Sequence, residues 1–281
     1  MKRWWSCYGT ATRFALIEQA RNRLALTLLV FFIPLQLLVA YRVAVATQVP
    51  FYIGAASQSV NVDARSLAQI TIALQTNALI VGFMMFTATA RSAPFDRRLA
   101  QAGYPRLCLV LAKVTSLVLA AASVGVCTTA WMQLYWRPQQ PVLLMASLSI
   151  GALVYGGIGI MLAAVLRSEL AAMFLLIMTS IIDIGLQNPI LNMAGAGRHL
   201  LSILPAYGPM QSAITTVGQR QVPWSYLALG FCWAAGTSAA GITTFVVRTR
   251  SRRTNTDIDP VGPAAVEEAV AVLANSATMA Q

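Results

Sequence analysis

The sequence predicts an all-α membrane protein with six transmembrane helices, an N-terminal interfacial elbow helix, and short re-entrant helices before the last span. Three observations predict it. The 281 residues are 57% hydrophobic and only 10% charged, with mean hydropathy +0.65; a soluble domain carries about 25% charged and about 45–50% apolar residues. Charge this sparse does not clothe a water-facing surface, so lipid must cover much of it. Six stretches reach the roughly 20 apolar residues that a helix needs to cross a bilayer. Finally, the basic residues gather in islands on alternate sides of those stretches, as the positive-inside rule requires.

The first 23 residues form a cytoplasmic N-terminus. Within it "ATRFALIEQARNR" reads as an interfacial helix, with Leu16, Ile17, Ala20 and Leu24 on one side and Glu18, Gln19 and Asn22 on the other. Arg13 and Arg21 interrupt the apolar arc and snorkel to the headgroups. Trp4, Trp5 and Tyr8 fit an aromatic anchor at the same level. "MKRWWSCYGTATRF" has no apolar core behind its basic start, so it does not read as a cleavable signal peptide.

The membrane domain is expected over residues 24–247. Its spans are Leu24–Ala46, Leu67–Ala88, Leu107–Ala130, Val142–Leu166, Leu170–Leu191 and Tyr226–Val247. Pro34 is a kink candidate in the first. Only "RSE", Arg167 to Glu169, separates spans four and five, which implies a tight hairpin. Of the 20 Lys and Arg, 14 fall before span one, between two and three, between four and five, and after six. That side is expected to be cytoplasmic, with both termini on it. Lys113 and Arg42 lie within span ends. Small-residue pairs Ala121/Gly125, Ala152/Gly156 and Gly236/Ala240 fit close helix packing.

Between spans five and six, residues 192–224 are long and semi-apolar. "HLLSIL" and "MQSAITTV" read there as short helices broken by Pro205, Gly208 and Pro209, dipping into the outer leaflet or capping the bundle. Residues 248–281 begin as a basic juxtamembrane segment and change to an acidic tail with no base after Arg253. That tail is expected to be mostly disordered, with one short helix around Ala264–Ala274. Eighteen Arg against two Lys, with abundant Ala, is the usage of a GC-rich bacterial genome, so a bacterial plasma membrane is the expected location.

Several chemistries have little to work with. No GxxxxGK[ST] occurs, so the chain holds no P-loop for ATP. His199 is the one histidine, which excludes an HExxH zinc site, and no Ser sits in a GxSxG elbow. Cys7, Cys108, Cys127 and Cys232 form no CxxC pair and no metal spacing, and read as reduced, small apolar side chains. No metal site and no cofactor in this chain are expected. The net charge of +11 reads as topology and anionic-lipid contact rather than nucleic-acid binding.

Two features carry the functional argument. The first is "FDRRLAQAGYPR", Phe95–Arg106, a basic island between two nearly uncharged runs. Residues 94–103 read as a short helix: Pro94 at its first turn, Asp96 at the positive dipole end, Gly103 at its stop. Phe95, Leu99 and Ala102 form its apolar stripe, with Arg97 and Arg98 exposed. By composition this is equally a helix that plugs into a cytosolic partner and a loop that only fixes topology. The second is Asp183, the one acid deep in a span, with Thr179, Ser180 and Asn188 nearby, and Gln75 and Asn77 in span two. An intramembrane carboxylate costs about 2.5–3.5 kcal/mol on insertion scales, so it is a functional candidate. The equal alternative is a carboxyl kept protonated or bonded to a neighbouring helix's Ser or Thr.

In order, the amphipathic elbow, the basic helix between spans two and three, the tight hairpin and the broken pair before span six resemble the permease subunits of type-2 ABC exporters over residues 8–250. "FDRRLAQAGYPRLCLVLAK" is similar to that family's coupling-helix region, although the commoner Gly-Thr-Glu style lead is absent. The resemblance implies that Phe95, Asp96, Arg97, Arg98 and Leu99 contact a cytosolic ABC ATPase subunit, flanked by elbow residues Arg13, Phe14 and Ile17. It also implies a second permease copy or homologue, with ATP and Mg held by the ATPase. The expectation is therefore a non-enzymatic permease exporting a drug, peptide or lipid. Asp183, Gln75 and Asn77 would line its path, or Asp183 would couple a secondary transporter or channel. A lipid-modifying membrane enzyme is the third class, and it lacks histidine, metal ligands and paired acids.

Overall fold

The computed structural model describes residues 2–53, 58–166, 168–187, 201–218 and 222–250. The chain divides into two units, residues 1–244 and 245–281; the architecture below is that of the first. The predicted tail helix around 264–274, Arg167 of the tight hairpin, and Asn188 and His199 lie outside the described residues.

The molecule is mostly helical. Its elements are α1 (Lys2–Ala20), α2 (Arg23–Thr27), a π-helical turn (Leu28–Phe32), α3 (Ile33–Val43), β1 (Gln48–Ile53), β2 (Gln58–Asp63), α4 (Ala64–Gln101), α5 (Arg106–Met132), α6 (Pro141–Val165), α7 (Glu169–Leu186), α8 (Tyr207–Gly218) and α9 (Trp224–Arg250). Among the described residues, four helices are long and apolar enough to cross a membrane: Ala64–Leu99, Arg106–Met132, Pro141–Val165 and Glu169–Leu186. These correspond to the second through fifth expected spans. The first expected span holds the shorter apolar helix Leu28–Val43, and the last is covered by α9.

Local chemistry explains the departures from the expected elements. The π-helical turn lies just before Pro34, which has no N–H for the α-helical ladder. The Ile33 N–H reaches the Leu28 carbonyl, five residues back, so the helix passes the proline by widening one turn. Beyond α3 the chain forms a two-stranded antiparallel ribbon, registered from Gln48 opposite Asp63 to Ile53 opposite Gln58. The all-α expectation leaves this ribbon out, although Val49, Phe51 and Ile53 and then Val60 and Val62 alternate at the strand period.

A second departure is in α4. The helix expected over 94–103 is not a separate element: α4 runs unbroken from Ala64 to Gln101 with Pro94 inside it. It stops where predicted, at Gly103, whose φ of +86° lets the Tyr104 N–H bond the Leu99 carbonyl at 3.0 Å. That 6→1 bond is the Schellman stop, and it needs a residue that tolerates the left-handed region.

α4 is the central helix and α6 packs along it. Their backbones touch: a Cβ on Gly159 would lie 2.3 Å from the Gly82 carbonyl oxygen. A Cβ on Gly156 would lie 2.2 Å from Leu117 Cδ1 of α5, so three helices converge there. The small-residue stripes around Gly125 and Gly156 thus sit in packed interfaces, whereas Gly236 has nothing within 4 Å. The buried core clusters around this contact, including Leu67, Leu74, Val81, Leu117, Leu148 and Tyr155. Short α8 is also buried, through Met210, Ala213 and Ile214, and it caps α4 and α6 beside the ribbon.

Gly159→Ala should lower stability by roughly 1–3 kcal/mol, because the new methyl must push two helix backbones apart. Gly185→Ala, where nothing lies within 4 Å, should stay within about 0.5 kcal/mol of wild type. Thermal unfolding of the two purified variants in one detergent compares them; equal melting temperatures would contradict the close contact.

Candidate functional site

At the Gln101 end of α4, consecutive residues face different ways because each helical step turns about 100°. Phe95 is 64% exposed and Arg97 and Arg98 are exposed, forming an outward patch of one aromatic ring and two guanidiniums. Asp96 turns inward and is only 5% exposed. Its carboxylate meets Lys113 Nζ of α5 at 2.5 Å. Ser92 Oγ accepts from Lys113 at 3.0 Å and donates to Asp96 at 3.2 Å. Of the five residues expected to face a partner, Asp96 is therefore an internal tie between α4 and α5, and Leu99 is half-buried. The sequence gives Lys113 only as a cation within a span end; its role is to be the counter-ion of Asp96.

The elbow helix is longer than expected, with Trp4, Trp5 and Tyr8 inside α1 rather than ahead of it. It is bonded to the bundle at several points. Tyr8 and Thr115 hydroxyls lie 2.6 Å apart, the Tyr104 hydroxyl donates to the Cys7 carbonyl at 2.5 Å, and Gln19 Nε2 approaches Met85 Sδ at 3.3 Å. Arg13, Phe14 and Ile17 are exposed. Phe14 and Phe95 both line a cavity of about 220 Å³ between α1, α4 and α5, which also takes in Glu18, Leu99 and Lys113. The structure therefore brings part of the elbow set and part of the α4 set together at one end of the bundle. Partial burial in this cavity pushes the Glu18 carboxyl above the usual carboxylate range; Lys113 and Arg91 oppose the rise and Asp96 adds to it.

The polar residues within the bundle do not converge on a single path. Asp183 is buried and accepts three hydrogen bonds, from the Tyr155 hydroxyl of α6 at 2.6 Å, Gln187 Nε2 at 2.5 Å and the Ala206 N–H at 2.9 Å. It ties α6, α7 and the approach to α8 together. Gln75 Nε2 donates to Ser180 Oγ of α7 at 2.7 Å. The Thr128 hydroxyl of α5 donates to Asn77 Oδ1 at 2.8 Å. Thr76 meets Gln36 of α3, and Gln69 donates to the Leu37 carbonyl at 3.2 Å. Side chains of α4 thus reach out to α3, α5 and α7 in turn, each with its own partner. Thr179, expected beside Asp183, is exposed and makes no bond to it.

Tyr155 and Gln187 are the members of the Asp183 cluster that sequence reasoning missed. Gln187 was findable, since it stands four residues after Asp183 on the same helical face. Tyr155 was not, because only the packing of α6 on α7 brings its hydroxyl there.

No protein-family model matches this chain, and no curated protein is significantly similar to it.

Two outcomes follow from this geometry. Asp183→Asn turns an acceptor into a donor facing existing donors, and should cost about 1–3 kcal/mol of stability, read as a lower melting temperature. Tyr155→Phe should cost less, because two donors to Asp183 remain. Lys113→Ala leaves Asp96 buried without its counter-ion. The cost of about 3–5 kcal/mol for a fully buried pair is reduced toward roughly 2 kcal/mol by the 17% exposure of the lysine side chain. The Asp96→Asn, Lys113→Met double variant should regain most of that loss; a double variant as unstable as Lys113→Ala would contradict the ion-pair account.

Proposed function

We propose that this chain is the permease subunit of an ATP-driven exporter in a bacterial plasma membrane, working with a separate cytosolic ABC ATPase and a second permease. The supporting observation is mechanical. The outward patch of Phe95, Arg97 and Arg98 sits on a helix that runs unbroken into the centre of the bundle. A rigid helix transmits displacement along its length, so a partner that moves the patch moves the Gly82–Gly159 contact as well. The Asp96–Lys113 pair makes α5 follow, because separating the two charges leaves each poorly solvated. The patch itself suits a docking surface: an exposed aromatic ring beside two arginines is the composition enriched at protein interfaces.

On this reading ATP and Mg are held by the partner, and this chain converts the partner's movement into rearrangement of α4 and α5 against α6. The exported molecule is amphipathic or hydrophobic, a drug, peptide or lipid, since the polar groups of the bundle interior bond separate neighbours rather than forming a continuous polar channel. The same observation weighs against Asp183 as the coupling group of a secondary transporter. Its three hydrogen-bond donors give it the work of a fastener.

The test is a mild-detergent pull-down of the tagged chain from its native membrane, with partners identified by mass spectrometry, beside a Phe95→Ala, Arg97→Glu variant. Both substitutions lie on the exposed patch, so insertion should be unaffected. A P-loop ATPase that co-purifies with wild type and is depleted at least about tenfold with the variant is the expected result, since loss of one interface anchor typically costs more than about 1.4 kcal/mol. An ATPase retained equally by both would remove the patch from the interface. Absence of any ATPase would overturn the exporter reading.

A further inference from the structure

A groove that borders the exposed patch, with Phe95 common to both, runs between α1 and α4. The cavity of about 220 Å³ continues past Phe14, Glu18 and Phe95 into a second, wider one of about 480 Å³ whose lining adds Arg21 and Arg91. Its walls are apolar, with Met84 from α4 and Ile17 from α1. Its charged groups come in one order: a carboxylate, Glu18, and two guanidiniums, Arg21 three residues further along the chain, in the turn that follows α1, and Arg91 across the groove on α4. Among the described residues Glu18 makes no ion pair within 4 Å, whereas the neighbouring Asp96 is committed to Lys113. A protein surface that exposes large apolar side chains beside a carboxylate and two guanidiniums is complementary to an amphiphile that carries both an ammonium and a phosphate.

We infer that this groove binds an aminophospholipid, phosphatidylethanolamine in its headgroup chemistry, with its ammonium on Glu18, its phosphate between Arg21 and Arg91, and its acyl chain along Phe14, Met84 and Phe95. Each part of the lipid meets a group of matching character. The primary ammonium donates hydrogen bonds to the Glu18 carboxylate, which makes no ion pair within 4 Å among the described residues. The phosphate takes two guanidiniums, the side chain best shaped for it. The acyl chain lies along the apolar side chains that the groove presents at the membrane–water interface. An anionic lipid without the amine satisfies the arginines and leaves its charge beside Glu18, so the carboxylate is the element that selects. Bound there, the lipid holds α1 against α4. The inference depends on α1 lying at the membrane–water interface and not on what the chain transports or which partner drives it.

The test reads lipid composition directly. Full-length protein is reconstituted in nanodiscs of equal phosphatidylethanolamine and phosphatidylglycerol, extracted into mild detergent, and its retained lipids are counted by native mass spectrometry. Because both lipids are read from one preparation, their ratio does not depend on yield or folding efficiency. Wild type should retain phosphatidylethanolamine over phosphatidylglycerol by about fivefold, the discrimination one partly screened ion pair supplies. Glu18→Gln should bring that ratio close to one while lipid is still retained. Arg91→Ala should reduce retention of both lipids. The inference is overturned if wild type prefers phosphatidylglycerol, which would mark a purely anionic site. It is equally overturned if Glu18→Gln leaves the ratio unchanged, or if no lipid is retained by wild type.

Discussion

The rest of the structure depends on the approach of α4 and α6 at Gly82 and Gly159, where a carbonyl oxygen occupies the space a Cβ would need. Between helices in a lipid environment there is little hydrophobic drive to associate, so close backbone packing and side-chain hydrogen bonds must hold the bundle. The glycines supply the first, and α4 supplies the second through Gln69 and Thr76 to α3, Gln75 to α7 and Asn77 to α5. Spacing α4 from α6 by even one methyl would shift every one of those bonds, because all of them radiate from the same helix.

The two carboxylates at opposite ends of the bundle are fasteners of different kinds. Asp96 joins α4 to α5 through a charge pair and a shared serine hydroxyl. Asp183 joins α6, α7 and the approach to α8 through three hydrogen-bond donors. Each uses a group costly to bury, and each is fully engaged, which is the arrangement that makes a buried polar network rigid rather than costly. Between them the helices present glycine and aliphatic contacts. The bundle is thus tied at its ends and close-packed in the middle, and displacement of one end is carried along intact helices.

Much of this was legible in the sequence, and the failures have specific causes. The four helices that are long enough and apolar enough to cross a membrane stand out by hydropathy alone, and Gly103 announces its helix stop. The ribbon at residues 48–63 was hidden because short alternating strands stand out weakly beside long apolar helices. The separate helix expected at 94–103 rested on Pro94 as its first-turn residue, yet proline is tolerated within a longer helix when surrounding packing holds the turn. At the candidate site, Arg97 and Arg98 are exposed as read, and Phe95, read as part of an apolar stripe with Leu99 and Ala102, is exposed beside them. Asp96 is not, because its direction depends on Lys113, distant in sequence and supplied by α5.

What the sequence determined by itself is the solvent of each segment. Apolar length, sparse charge and clustered arginines follow from transfer free energies that act residue by residue, without knowledge of neighbours. What only the tertiary structure decided is which polar groups meet. Tyr155 with Asp183 and Lys113 with Asp96 are pairs separated by at least 17 positions in the chain. A hydrogen bond or ion pair requires atoms about 3 Å apart in a defined direction. No local preference of the chain sets that distance; it is set by the glycine-lined contact that brings the helices together.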